Sequence, residues 1–110
     1  MYDWVPCHLI LLTASTYLEH FERHGADFGA STPEEYEELA DTFMYGELLS
    51  STKECTRPRP SPRTICRYSA ETEEYGVKRE QGYLVTYFIP VPLVTHRFAT
   101  NLEYYRHKCK

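Results

Sequence analysis

Pro58, Pro60 and Pro62 stand at alternate positions, and no regular helix or interior strand can run through them. Each lacks the amide hydrogen that a ladder needs and fixes its own φ. They divide the chain into a front with helical signals and a back with strand signals. Residues 47–62 therefore read as a polar connection. Its length is unusual inside a compact domain and points to a functional or mobile loop. The whole chain, 110 residues with 42% hydrophobic content, has the size of one domain, so residues 1–110 are read as a single unit.

The helical part is expected over about residues 13–46. Residues 1–12 end in an apolar run too short for periodicity to settle. Thr16 with Glu19 fits a capping box, and Gly25 fits a helix stop, predicting a first helix over 16–24. The second helix carries the fullest set of signals: Thr32 as N-cap, Pro33 at the first helical position and Glu35 to close the cap. Tyr36, Leu39, Ala40, Phe43 and Met44 recur at three- and four-residue spacing before Gly46. Glu34, Glu35, Glu37, Glu38 and Asp41 make an acidic outer face.

The sheet is expected over residues 64–90. Residues 64–69 alternate, with Ile65 and Arg67 on one face and Cys66 and Tyr68 on the other. Residues 74–78 and 83–89 flank the turn at 79–82 as a hairpin. In its second arm Leu84, Thr86 and Phe88 share one face, with Val85, Tyr87 and Ile89 opposite. Thr100 and Glu103 form a capping box that opens a last helix over about 100–109. The fold class is α+β: N-terminal helices packed on an antiparallel sheet of three to four strands, with a short C-terminal helix.

No apolar run approaches the roughly 20 residues needed to span a bilayer, and the run at 8–14 lacks a basic lead-in. The expectation is a cytoplasmic protein without membrane attachment. Cys7, Cys55, Cys66 and Cys109 contain no C-x-x-C pair. Sequence cannot choose among their three pairings, and reduced, mostly buried thiols are expected. Net charge is −4, unevenly placed. Residues 19–54 hold ten acids against Arg23 and Lys53, whereas Arg57, Arg59, Arg63 and Arg67 fall within eleven residues. That cluster reads either as a flexible basic loop or as a local anion-binding patch. Many of the ten tyrosines are expected at the edge of the core or along a cleft.

His20 and His24 are spaced i, i+4, so both imidazoles project from one side of the first helix. Three uses are open to them: a surface pair, acid–base chemistry near neutral pH, or a metal site needing a third ligand from His8, His96 or His107. Arg67 reads either as a solvated strand position or as a bidentate phosphate clamp. Thr86 and Tyr87 offer hydroxyls on opposite faces, and Tyr68 and Tyr75 are open between core edge and base-stacking platform. The sequence contains no P-loop, dinucleotide fingerprint, G-x-S-x-G or H-E-x-x-H motif. Histidines, an arginine and hydroxyls together fit metal-independent phosphodiester chemistry.

Residues 20–29 (HFERHGADFG) followed by Thr32-Pro33-Glu34-Glu35-Tyr36 resemble the opening of a group of small bacterial and phage proteins. Residues 67–77 (RYSAETEEYGV) and 82–90 (GYLVTYFIP) resemble the same group's strand pair and last strand. The order and spacing hold from about residue 18 to 90. Ser69-Ala70 departs from the group's Asp/Asn-Pro turn, and Tyr75 stands where phenylalanine is commoner. The group resembles the barnase, EndoU, colicin and RelE (BECR) superfamily of ribonuclease toxins. That resemblance implies helices on an antiparallel sheet of about four strands, RNA cleavage in a cleft of the sheet, and no metal or other cofactor. Carried over by position, His20, His24, Arg67 and Thr86 are the expected catalytic residues. Tyr68 and Phe88 are expected to support substrate, and Arg63 of the basic cluster is placed with them. The expected partners are RNA and a cognate antitoxin or immunity protein. The four catalytic positions must then converge on one cleft. The alternative is a non-catalytic binding protein whose acidic helix meets a basic partner.

Overall fold

The computed structural model describes residues 14–57, 63–80, 82 and 84–110, with side chains from residue 19 onward. The expectations for residues 1–12, with Cys7 and His8, and for Pro58, Arg59, Pro60 and Pro62 lie outside them. Helix α1 (Ala14–His24) leads into a short 3-10 turn (Gly25–Phe28), then helix α2 (Pro33–Tyr45). Four strands follow, β1 (Thr52–Arg57), β2 (Thr64–Ser69), β3 (Tyr75–Arg79) and β4 (Leu84–Phe88), before helix α3 (Asn101–Lys108). The strands pair in chain order, all antiparallel. The expected α+β architecture is present.

Two of the three capping signals act as read. The Thr32 hydroxyl accepts from the Glu35 amide, and the Glu35 carboxylate accepts from the Ser31 amide. Thr100 accepts from the Glu103 amide at 3.1 Å. Thr16 does not cap α1, because the helix already includes Ala14. Gly46 does end α2, but in extended backbone rather than a left-handed turn. A Cβ there would lie 2.4 Å from the Thr42 carbonyl oxygen, so the residue is small because the chain leaves the helix so tightly.

Strand β1 lies inside the segment read as a connection. It forms the edge of the sheet, where pairing with β2 alone suffices, and it ends at Arg57 before the prolines. Cross-strand pairing sorts the side chains. Glu54, Arg67, Gly76 and Tyr87 fall on one face; Cys55, Cys66, Val77 and Thr86 fall on the other. The alternation expected in β4 breaks at a bulge: Val77 pairs with Thr86, but Lys78 pairs with Leu84. One extra residue on a strand reverses the faces beyond it. Leu84 therefore joins Tyr87 in the core rather than Thr86 and Phe88.

Helix α2 packs on the first face through Tyr36, Ala40 and Met44, against Leu84 and Tyr87. Its approach is close, since a Cβ on Gly76 would lie 2.4 Å from the Met44 sulfur. Glu37, read as part of the acidic outer face, is buried, whereas Glu34, Glu35 and Glu38 are exposed. The Tyr36 hydroxyl donates to the Tyr87 carbonyl and the Tyr87 hydroxyl to Glu74, so these core tyrosines have polar partners. Helix α3 covers the second face, with Tyr105 stacked on Tyr68 and Tyr104 against Tyr75. Among the described residues, Tyr36, Tyr68, Tyr75, Tyr87 and Tyr105 are buried, making them core rather than edge.

The expectation of reduced cysteines fails for one pair. Cys55 of β1 and Cys109, at the end of α3, form a disulfide, while Cys66 is a buried free thiol. Sequence separation hid the pair; the packing of α3 brings the two Cα atoms to 5.9 Å. Among the described residues no helix is long and apolar enough to cross a membrane.

Candidate functional site around Phe88 and its cleft

His20 and His24 point the same way from α1, with ring centroids 6.2 Å apart. Helix α1 lies along β4, the last strand of the described sheet, so its C-terminal end can reach the α3 face. There the His24 ring stacks on Phe88 at 5.1 Å and 27°. Phe88 in turn meets the edge of Tyr75. Both histidines are half-buried. Burial is the main cause holding the His20 pKa below its ordinary value; Arg23 adds to it and Glu19 opposes it. Burial does the same for His24, reinforced by His20 and Arg23 and opposed by Asp27. Both imidazoles are thus biased toward the neutral form, which accepts protons.

That bias has a consequence for stability. A histidine whose pKa falls on folding binds fewer protons when folded than when unfolded, so it supports the fold above about pH 6.5. The support is lost as pH falls from there through the folded values. Urea titrations at pH 7.5 and 5.0 are expected to show a smaller acid-side loss in His20→Gln/His24→Gln than in the parent. The carboxylates are common to both proteins, so the difference isolates the imidazoles. Equal losses would refute the assignment.

Beyond Phe88 a cleft of about 290 Å³ opens between α3 and strands β3 and β4. Thr86 and Phe88 line it, with Thr64, Tyr104 and three cations, Arg57, Arg79 and Lys108. Among the described residues no carboxylate lines it. Sequence reading had grouped Arg57 only with its neighbours in the chain, and nothing marked Arg79 or Lys108. They are distant in sequence and meet through strand pairing and the docking of α3.

Arg67 does not join this site, and the expected four-residue convergence fails on it. Arg67 pairs with Gly76 and Gly76 with Tyr87, whereas Thr86 pairs with Val77. Arg67 and Thr86 therefore face opposite sides of the sheet. Arg67 is neither a solvated position nor a free clamp: it is 8% exposed, and its Nε donates to Glu54 at 2.6 Å. One terminal nitrogen donates to the Phe43 and Gly46 carbonyls at 2.9 Å each. Lys78 donates to the Met44 carbonyl at 2.8 Å. Helix α2 carries no base in its own last turn, and these two sheet cations satisfy its C-terminal carbonyls instead.

The remaining expected residues divide. Tyr68 is buried under Tyr105 and donates to Glu73 at 2.9 Å. Burial first, then that carboxylate, raises its pKa to about 12; it packs under α3 and is not among the residues that line the Phe88 cleft. Arg63 is exposed and doubly bonded to Glu80. Thr86, Phe88 and His24 come together, with His20 one ring further out. Among the described residues no group of three or more His, Cys, Asp or Glu side chains is placed to hold a metal ion. His96, offered as a third ligand, instead bonds Asn101 and stacks on Tyr104.

No known protein family matches this chain, and no curated protein is measurably similar to it in sequence.

Proposed function

We propose that this protein is a metal-independent RNA endonuclease of the toxin type, similar to the BECR ribonucleases in its plan. The observation that carries the reading is the seating of His24 on Phe88. A half-buried imidazole biased toward its neutral form lies one ring from a cleft that holds Thr86 and three cations.

In this reading His24 accepts the proton of a ribose 2′-hydroxyl, and that oxygen attacks the adjacent phosphorus. The bond from phosphorus to the 5′-oxygen breaks, and the departing oxygen takes a proton from the imidazolium form of His20. The products are a 2′,3′-cyclic phosphate and a 5′-hydroxyl. Thr86 positions the phosphate, Phe88 supports substrate, and charge on the phosphate is met by the cations of the same face rather than by Arg67. Because both histidine pKa values are lowered, the rate is expected to pass through a maximum on the acid side of about pH 6.5. A cognate antitoxin or immunity protein is the second partner such an enzyme would need, and the cytoplasm is where its RNA would be met.

The test is incubation of labelled RNA with the folded chain in EDTA. Cyclic-phosphate ends are expected, and His24→Ala should slow their formation about a hundredfold or more. Intact RNA after prolonged incubation would refute the enzyme. It would leave a second reading, favoured by Leu39, Leu48 and Leu49, which stand exposed beside Glu38 and Glu47. An apolar strip bordered by acids suits a basic, amphipathic partner segment.

A further inference from the structure

We infer that the cleft on the α3 face is a preformed phosphate site, held by Arg57, Arg79 and Lys108 with the Thr64 hydroxyl at its wall. The inference rests on the reading above only in assigning the phosphate to RNA; binding of the anion does not depend on cleavage.

The first ground is the state of the cations. Arg63, Arg67 and Lys78, the neighbouring bases of the sheet, each have a partner: a carboxylate for Arg63, a carboxylate and carbonyls for Arg67, and a carbonyl for Lys78. Arg57, Arg79 and Lys108 come from the ends of β1, β3 and α3 and line one cleft. Among the described residues none of the three makes an ion pair. Three like charges are gathered, and no carboxylate of the described residues lines the space between them.

Unsatisfied polar groups mark the same wall. Thr64 is 5% exposed, and its hydroxyl has no hydrogen-bond partner among the described residues. The Nε of Arg57 is likewise buried and unpartnered. Native folds rarely leave such groups unsatisfied, because each costs about 1–3 kcal/mol. Both orphaned groups belong to residues that line the same cleft. Arg57 and Thr64 are cross-strand partners, and the wall they form offers donors to a phosphate, which an apolar ligand cannot use.

Size sets the ligand class. At about 290 Å³ the cleft is at the lower limit for small-molecule sites. It suits one phosphate with its sugar, and Tyr104 and Phe88 at the wall offer faces to a base. The shared chemistry is a nucleotide phosphate, free or within a strand.

The experiment titrates the full-length, disulfide-bonded protein with inorganic phosphate and, separately, with a short RNA made uncleavable by 2′-O-methylation, following amide resonances by NMR. Arg57→Gln and Lys108→Gln are each expected to weaken binding about tenfold or more, while Arg106→Gln, on the exposed side of α3, leaves it unchanged. Thr64→Val should weaken binding yet keep or raise the melting temperature of the unliganded protein, because it removes an unpartnered hydroxyl. A residue with only a structural role would not divide these two readouts. His24→Ala should bind as the parent does even where cleavage is lost, so failure of the enzyme and failure of the site are separable. Tighter binding of RNA than of phosphate would assign the site to a nucleic-acid strand, and the reverse to a free phosphate. No binding of either ligand at about 10 mM, or equal affinity in parent and Arg57→Gln, would overturn the site.

Discussion

Reducing the Cys55–Cys109 bond is expected to lower the free energy of unfolding by about 4 kcal/mol. The two cysteines are 54 residues apart, and closing a loop of that length removes a corresponding amount of chain entropy from the unfolded state. A domain of this size has only about 5–15 kcal/mol in total, so the loss is a large share. The site of the damage follows from the fold. Helix α3 has eight residues, fewer than an isolated helix needs to persist in water, and the bond ties its end to the edge strand. Tyr104, Tyr105 and Leu102 still hold it to the sheet, so local loosening near Lys108 should precede global unfolding. Urea titrations with and without reductant measure the effect, and Cys109→Ser should reproduce it while being insensitive to reductant. A difference below about 1 kcal/mol would mean that aromatic packing alone fixes α3. Bonds of this kind persist in oxidising surroundings, so in a reducing cytosol the protein would work from its less stable form.

Arg67→Ala is expected to cost about 2–3 kcal/mol, chiefly for leaving two helix carbonyls without their donor, because Glu54 is partly exposed and its lost pairing adds little. The change leaves Glu54 without its cation and the Phe43 and Gly46 carbonyls without their donor. Arg67→Lys should recover only part of this, because an ammonium cannot reproduce the fork that reaches three acceptors. Thermal or urea unfolding gives the stability change, and RNA binding by the surviving folded fraction gives the second measurement. A phosphate clamp would show the opposite pattern: stability unchanged and affinity lost. That pattern would also overturn the description of Arg67 as the tie between α2 and the sheet.

The Arg67 case illustrates where sequence reading stops. Alternation in β2 correctly put Arg67 opposite Cys66 and Tyr68, but it could not say that α2 would cover the Arg67 face. Nor could it show that α2 ends there with carbonyls to satisfy and no base of its own. Likewise Thr86 and Phe88 were correctly paired on one face. Leu84 was not, because one bulged residue in β4 reverses the faces beyond it and leaves no periodic trace. Strand β1 was hidden by the prolines that follow it and by its own polarity, both of which an edge strand tolerates.

His20 and His24 remain one turn apart on one side of α1, as their spacing dictates. Local chemistry determined that much, together with the caps at Thr32 and Thr100, the stop at Gly46 and the antiparallel order of the later strands. Each of these depends on residues within a turn or a hairpin of one another. The tertiary structure alone decided that His24 meets Phe88, that Arg67 faces away, that Cys55 finds Cys109, and that Arg57, Arg79 and Lys108 share a cleft with Thr86. Those contacts join residues far apart in the chain, and their geometry exists only once two layers of helix have closed on the sheet.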